Sequence, residues 1–199
     1  MAAAVAGSRP APYRIVPGPF VKKPPPEADG AVPSASRFSL GGLTVQIELV
    51  GDRPRAEFIR SIDGRSGDPF AASPGAPPRF HTFRVLFDNR TAESVVFQPG
   101  NVVLVTDRAE QQFAIDITDV YMQAARSGRA DPDAAVARVA PLIFDSSTTI
   151  PPNQRLEKLL VFGPLPERWK EFRLHFSFLQ IGTETHTVSF LFHRRPVKG

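Results

Sequence analysis

Alternation of apolar and polar residues is clearest near the carboxyl end of the chain, where residues 172–193 read FRLHFSFLQIGTETHTVSFLFH. Large apolar residues occupy every second position of the first half, and the second half repeats the pattern. Such alternation is typical of half-buried β-strands. We expect Gly182-Thr183-Glu184 to join two strands as a hairpin. If their phenylalanine faces coincide, Phe176 pairs with Phe190, and both are buried.

Similar short segments recur upstream, separated by turn residues. The predicted strands are residues 43–50, 56–62, 83–87, 94–98, 102–106, 112–115 and 156–162. Gly51-Asp52-Arg53-Pro54 is predicted as the turn that precedes the second of them. About eight short strands with turn signals every 8–12 residues indicate an all-β fold, an antiparallel β-sandwich. A small closed barrel is the alternative.

Residues 116–141 interrupt the strand pattern with a helical excursion between two groups of strands. Apolar residues from Ile117 to Ala125 have helical spacing, and Asp131-Pro132 has the form of a helix start. We therefore expect two short helices here. Asp116 and Asp119 are expected to cap the first helix rather than to act as an acid/base pair.

Proline dominates the amino-terminal segment, residues 9–36, which predicts an extended arm without regular secondary structure. The arm also carries spaced apolar side chains, which a pure spacer would not need. We divide the chain into an arm over residues 1–36 and a sandwich over residues 37–199. The arm is predicted to dock on a partner or on its own sandwich; the competing interpretation is a solvated tail.

Composition excludes several classes of function. The chain has no cysteine, which rules out disulfides and cysteine-based metal or nucleophile chemistry. Its net charge of +4 is scattered, so a solvated basic surface is favoured over nucleic-acid binding. No apolar run approaches the length of a spanning helix. Ala4-Val5-Ala6 resembles a signal cleavage site without the apolar core, so the start is either an Ala-rich terminus or a truncated signal peptide.

Sequence motifs do not assemble a catalytic, cofactor or metal site. His175 and His193 are expected as diagonal neighbours on the outward face of the last hairpin, where polar surface residues are the simpler interpretation than metal ligands. Residues 63–68 superficially resemble a calcium loop but lack its spacing, and turn formation explains them. Asn89-Arg90-Thr91 fits a glycosylation sequon and is interpreted as a turn.

The sequence FRVLFDNRT at residues 83–91, followed by the strands at 95–97 and 102–107, resembles the telokin-like, immunoglobulin-like domains of bacterial envelope proteins that are associated with lipoproteins. Pro151-Pro152 before an apolar strand, and the closing strand at residues 188–192, continue the resemblance. It implies an immunoglobulin-like fold and an envelope setting, and it brings no catalytic residues.

We therefore expect a non-catalytic interaction or structural module, an accessory subunit of a larger envelope-associated assembly on the periplasmic or extracellular side. The expected partners are proteins, which include a membrane-associated complex; no cofactor, metal or nucleic acid is expected. The candidate partner-binding residues are Tyr13, Ile15, Val16, Phe20, Val21, Tyr121, Met122 and Trp169. Alternatives are a small-ligand or glycan-binding domain, then an enzyme whose site the sequence hides, and a cytoplasmic location.

Overall fold

The computed structural model describes residues 13–17, 35–64, 68–71, 80–127, 131–165 and 168–196. The strands are β1 Tyr13–Pro17, β2 Ala35–Leu40, β3 Leu43–Val50, β4 His81–Asn89, β5 Val95–Phe97, β6 Val102–Thr106, β7 Gln111–Phe113, β8 Thr148–Ile150, β9 Gln154–Phe162, β10 Glu171–Ile181 and β11 Glu184–Pro196. The helices are α1 Asp52–Asp63, α2 Ile117–Ser127 and α3 Pro132–Val139, with a short 3-10 turn over Pro99–Asn101.

The strands form two antiparallel sheets. One sheet has seven strands, and five of them lie side by side in the order β1-β11-β10-β5-β8. The strand β6 pairs with the first half of β10, on the same edge where β5 pairs with its second half. The strand β7 pairs with the other edge of β6. The second sheet has four strands in the order β2-β3-β4-β9. Because the two sheets are separate, the closed-barrel alternative is wrong, and the expected mostly antiparallel, two-sheet architecture is confirmed.

The main core lies between the sheets and is built by alternate residues of their strands. Phe83, Val85 and Phe87 of β4 are fully buried, as the alternation predicted. The ring of Phe83 meets those of Phe162, Phe172 and Phe192 at centroid distances of 5.3–5.8 Å, all edge-to-face. Such pairs stabilise a core beyond their buried area.

The register predicted for the last hairpin is wrong by two residues. Phe190 lies opposite Leu174 rather than Phe176, because the turn is one residue shorter than expected and a β-bulge lies between Phe176 and Leu179. The two shifts together keep the phenylalanine faces on the same side. Phe176 and Phe190 are therefore still buried and in ring contact at 5.3 Å, as diagonal neighbours.

Residues 52–63 form helix α1 and not the predicted turn and return strand. Arg55, Phe58 and Ile59 are the buried residues of this segment, and their spacing of three and four matches a helix face. Pro54 is tolerated because it lies in the first turn, where its missing N–H has no intrahelical partner. The helix ends at Gly64, whose φ of 66° is left-handed.

A buried ion pair fastens α1 to the segment that follows it. Nε of Arg55 donates to Oδ2 of Asp68 at 2.7 Å, and both side chains are almost completely buried. The second amino group of Arg55 reaches the Asp52 carboxylate at 2.8 Å and the Phe70 carbonyl at 3.2 Å. Oδ1 of Asp68 accepts from the Phe70 N–H, so Asp68 has a structural role. Asp63 ends α1 rather than forming a turn, and residues 65–67 of the predicted turn lie outside the described residues.

The helical excursion is confirmed, and α2 and α3 lie close to the predicted positions. Asp116 and Asp119 each accept a hydrogen bond from the other's backbone N–H, and Asp131 caps α3 by accepting from the Asp133 N–H. The excursion connects β7 with β8, which belong to the same sheet, so it does not link two separate groups of strands.

A second apolar cluster covers the outer face of the four-stranded sheet along β9. It joins residues of α1 and the end of α3 to Leu159 and Val161 of β9. The chain after α3 also borders β9: the Phe144 N–H donates to the Leu159 carbonyl, and the Leu159 N–H donates to the Leu142 carbonyl. The outer face of the four-stranded sheet is therefore packed along β9, whereas on β3 and β4 it carries the partly exposed ion pair of Glu48 with Arg84.

Part of the proline-rich arm is a strand rather than irregular chain. Tyr13–Pro17 pairs antiparallel with β11, from Tyr13 opposite Pro196 to Pro17 opposite Phe192. Val16 is buried, and Ile15 packs against the main core. For these residues the expectation of no regular secondary structure is wrong, and the arm contacts its own sandwich. Phe20 and Val21 lie outside the described residues.

Candidate functional site

Asn89, at the end of β4, holds one end of the two-sheet structure together. Its side chain is fully buried, and the two N–H groups of its Nδ2 are shared among the carbonyls of Glu93, Ile150 and Pro151 at 2.9–3.0 Å. Its Oδ1 accepts from the N–H and the hydroxyl of Thr91. Because Ile150 belongs to the other sheet, this one amide ties the two sheets. The turn interpretation of residues 89–91 is confirmed.

Three chain connections meet near Asn89: the β2–β3 turn, residues 90–94 between β4 and β5, and the β10–β11 turn. Gly42 and Gly182 allow these connections to approach each other closely. The Arg90 N–H donates to the Gly42 carbonyl, and the Gly182 N–H donates to the Ser94 carbonyl. A Cβ atom on Gly42 would lie 3.1 Å from the Arg90 carbonyl oxygen, and one on Gly182 would lie 3.1 Å from Cγ of Glu93. Both glycines also have a positive φ, so side chains are disfavoured there.

These connections enclose an open cleft of about 500 Å³, which we call the end cleft. Leu40 and Ile181 supply apolar surface, and the acidic side chains are Glu93 and Glu184. Nε2 of His186 lies 3.6 Å from Oε2 of Glu184. The lining is completed by Gly41, Thr91, Gly182 and Thr183, so no lysine or arginine lines the cleft among the described residues.

The outer face of the seven-stranded sheet carries a second candidate site. The register places Phe113, Val103, His175 and Ser189 in one cross-strand row, and Gln111, Val105, Arg173 and Leu191 in the next. Side chains directly opposite on an antiparallel pair lie within contact distance. We call Phe113, Val103, Val105, Leu191, Arg173 and His175 the sheet-face patch. Phe113 is the most exposed of the large apolar side chains described, at 60%.

Polar groups of the sheet-face patch are partly engaged with neighbours. Nδ1 of His175 lies 2.7 Å from the Ser189 hydroxyl. Burial, and then the positive charge of Arg173, lower the pKa of His175 below its ordinary value. Arg173 itself is 3.9 Å from the Glu171 carboxylate and mostly exposed. The patch therefore combines apolar surface with an exposed guanidinium.

The prediction that His175 and His193 are diagonal neighbours is wrong. The observed register places His175 opposite Ser189 and His193 opposite Glu171, so the two imidazoles are four residues apart along the hairpin. His193 is instead 3.5 Å from the Glu171 carboxylate. Among the described residues, no group of three or more histidine, aspartate or glutamate side chains is placed to hold a metal ion.

The predicted partner-binding residues separate into exposed and internal positions. Tyr121 and Met122 lie on α2 with 43% and 44% of their surface exposed. Ile15 and Val16 are engaged with their own sandwich, and Tyr13 lies on β1, where it pairs with β11. Trp169 is only 4% exposed and packs edge-to-face on Phe172, so it is unavailable to a partner in this conformation.

Sequence reasoning missed both candidate sites. The end cleft is formed by turns that are far apart along the chain, and only the glycine at each turn was a signal. The sheet-face patch follows from the pairing of β6, β7 and β10, which alternation alone does not specify. No described helix combines the length and apolar character needed to cross a bilayer.

No protein-family model matches the chain, and no curated protein matches it in sequence. Among solved structures, the chain is similar to the yjhA protein from Bacillus subtilis. That similarity has a TM-score of 0.40 and 8% sequence identity, and it covers 71% of this chain and 77% of the other.

Proposed function

We propose that this chain is a non-catalytic interaction module, an accessory subunit of a larger envelope-associated protein assembly, and that it docks through the sheet-face patch. The observation that carries the proposal is the position of Phe113: a large side chain, 60% exposed, on a three-residue strand at the border of the sheet. The other face of the same sheet packs into the main core, and the described residues leave Phe113 exposed, so a protein partner would supply the apolar surface that covers it.

The composition of the patch supports a protein partner. Phe113, Val103, Val105 and Leu191 provide apolar area in two adjacent rows, and Arg173 lies within them. Aromatic and arginine side chains are enriched in protein interfaces, where they contribute most of the binding energy. A partner surface that offers apolar side chains and a carboxylate to Arg173 complements this face.

An immunoglobulin-like identity and an envelope location belong to the same proposal. They are supported by the residues that resemble the telokin-like envelope domains, since β4 runs into the Asn89-Arg90-Thr91 turn and then into β5 and β6 in that order. Fractionation of the source cells tests the location. We expect the chain with the envelope or periplasmic fraction, and recovery from the cytoplasm alone would contradict the proposal.

The docking surface is tested by a comparison of matched surface variants. Tagged wild type, Phe113→Ser and Ile62→Ser are expressed in the source cells, cross-linked, and isolated with their partners. Ile62 is the control because it is also exposed, at 41%, but lies on α1. We expect a stoichiometric protein partner with wild type and Ile62→Ser, and about tenfold less with Phe113→Ser.

A fourth variant separates the sheet face from helix α2. Tyr121→Ser/Met122→Ser removes the exposed apolar side chains of α2 and leaves the sheet-face patch intact. Loss of the partner in this variant, with full retention in Phe113→Ser, would move the interface to α2. A wild-type chain isolated without any stoichiometric partner would contradict the interaction function altogether.

A further inference from the structure

The end cleft is a cavity with fixed walls, separate from the sheet-face patch. Its walls are three connections that hydrogen-bond to one another through Gly42–Arg90 and Gly182–Ser94, and they stand on the buried Asn89 amide. A Cβ atom on Gly42 would press on the Arg90 backbone, and one on Gly182 would press on the Glu93 side chain, so either substitution requires a small local shift. A cavity whose walls are held this way is ordered before a ligand arrives, which lowers the entropic cost of binding.

The lining of the cleft combines apolar and acidic surface. Leu40 is 39% exposed at one wall, and Ile181 lies at another. Glu93 and Glu184 line the same space, the Glu184 side chain being 79% exposed and 3.6 Å from Nε2 of His186, and Thr183 adds a hydroxyl that both donates and accepts. The chain as a whole carries a net charge of +4, so two acidic residues with no lysine or arginine among the described lining residues run against its overall charge.

We propose that the end cleft binds a small organic cation, a protonated amine that carries an apolar body. The ammonium group lies among the carboxylates of Glu93 and Glu184, and the apolar body lies on Leu40 and Ile181. The volume of about 500 Å³ falls within the range of small-molecule sites. Within the described part of the chain, the lining has no phenylalanine, tyrosine or tryptophan on which a sugar ring would stack, which favours an amine over a glycan.

The test uses three probes of nearly equal size that differ in charge: benzylamine, benzyl alcohol and benzoate. Each is titrated into the full chain, and backbone amide shifts are followed by NMR. We expect benzylamine to bind in the millimolar range and to shift the amides of Gly41, Gly182 and Glu184. Benzyl alcohol and benzoate are expected to bind at least about tenfold more weakly. Benzylamine affinity is also expected to fall as salt is added.

Variants assign the effect to the cleft. Glu93→Gln and Glu184→Gln each keep the shape of the side chain and remove its charge, and each is expected to weaken benzylamine binding about three- to tenfold. Glu110→Gln is the matched control, since Glu110 is exposed outside the lining. Shifts elsewhere, equal binding of all three probes, or unchanged binding in both cleft variants would overturn the proposal. Because the sheet-face patch is untouched, these outcomes do not depend on the interaction function.

Discussion

At the scale of single residues, Asn89 joins parts of the chain that are far apart in sequence. A primary amide offers two N–H donors and an acceptor oxygen with two lone pairs, and both ends of Asn89 are engaged inside the protein. An aspartate has a similar shape but lacks the donors. A buried polar side chain that is fully hydrogen-bonded specifies one arrangement of its neighbours, because every alternative leaves a group unpaired.

Replacing Asn89 with alanine is therefore expected to destabilise the protein by about 2–4 kcal/mol. The substitution removes the amide donor from the buried carbonyl of Ile150 and from the part-buried carbonyls of Glu93 and Pro151, of which Glu93 keeps the Thr91 hydroxyl as a donor. Urea denaturation measures the change. Asn101→Ala is the control, because Asn101 is exposed and its amide bonds only the Gln98 side chain; it is expected to change stability by less than about 0.5 kcal/mol. Equal losses in the two variants would refute the role of Asn89.

At the scale of elements, we expect the packing of helix α1 to depend on the buried ion pair between Arg55 and Asp68. Arg55→Met removes the guanidinium partner of Asp68, whose side chain is only 6% exposed, and leaves that buried carboxylate with the Phe70 N–H as its described hydrogen-bond donor. We expect a loss of about 3–5 kcal/mol in the free energy of unfolding. Thermal melts followed by circular dichroism report the effect.

The same helix provides a matched surface pair as the control. Arg53 and Glu57 form an ion pair at 3.0 Å, and their side chains are 91% and 57% exposed. Arg53→Ala is expected to have little effect, since solvent screens such pairs. A melting temperature that falls as much for Arg53→Ala as for Arg55→Met would show that burial of the ion pair does not determine its contribution.

Most strands were predictable because each buries one face, and burial of one face enforces alternation. β4 and β6 are examples, and the caps at Asp116 and Asp131 were predictable because their hydrogen bonds are local. Helix α1 was missed because the Gly51–Pro54 sequence suits a turn as well as a first helical turn. The helical spacing of Phe58, Ile59 and Ile62 was its available signal.

The candidate sites were less predictable than the strands, for a physical reason. The bulge after Phe176 shifts the pairing of β10 with β11 without changing which residues are apolar, so composition does not reveal it. The contacts around the end cleft join turns that are distant in the chain. The conformational preferences of neighbouring residues do not predict which turns will come together. Register and turn geometry decide both sites.

At the scale of the whole molecule, His81 makes stability depend on pH. Burial lowers its pKa below the ordinary value of 6.5, against a smaller raising effect of the Gly163 backbone. As the pH falls through about 6.5, the unfolded chain binds a proton that the folded chain does not, so the folded state loses stability. We expect the free energy of unfolding to decline from about pH 7 to about pH 5.

Substitution of His81 isolates this contribution. His81→Gln is expected to flatten the decline, when chemical denaturation is repeated across the pH range. The pKa of His175 is lowered in the same direction by burial and by Arg173, but His175 is less buried, so His175→Gln is expected to flatten the decline less. If the free energy of unfolding of His81→Gln declines with pH as steeply as that of wild type, the burial of His81 does not cause the pH dependence.

The pairing of β1 with β11 has a consequence for how this domain can be combined with others. Tyr13 lies opposite Pro196, so the two ends of the described fold leave from one corner, about 5 Å apart between Cα atoms. A unit with adjacent ends fits into a surface loop of another protein at a small cost in loop-closure entropy. The host chain would enter and leave the insert at nearly the same point, so its own fold would not have to open to accommodate it.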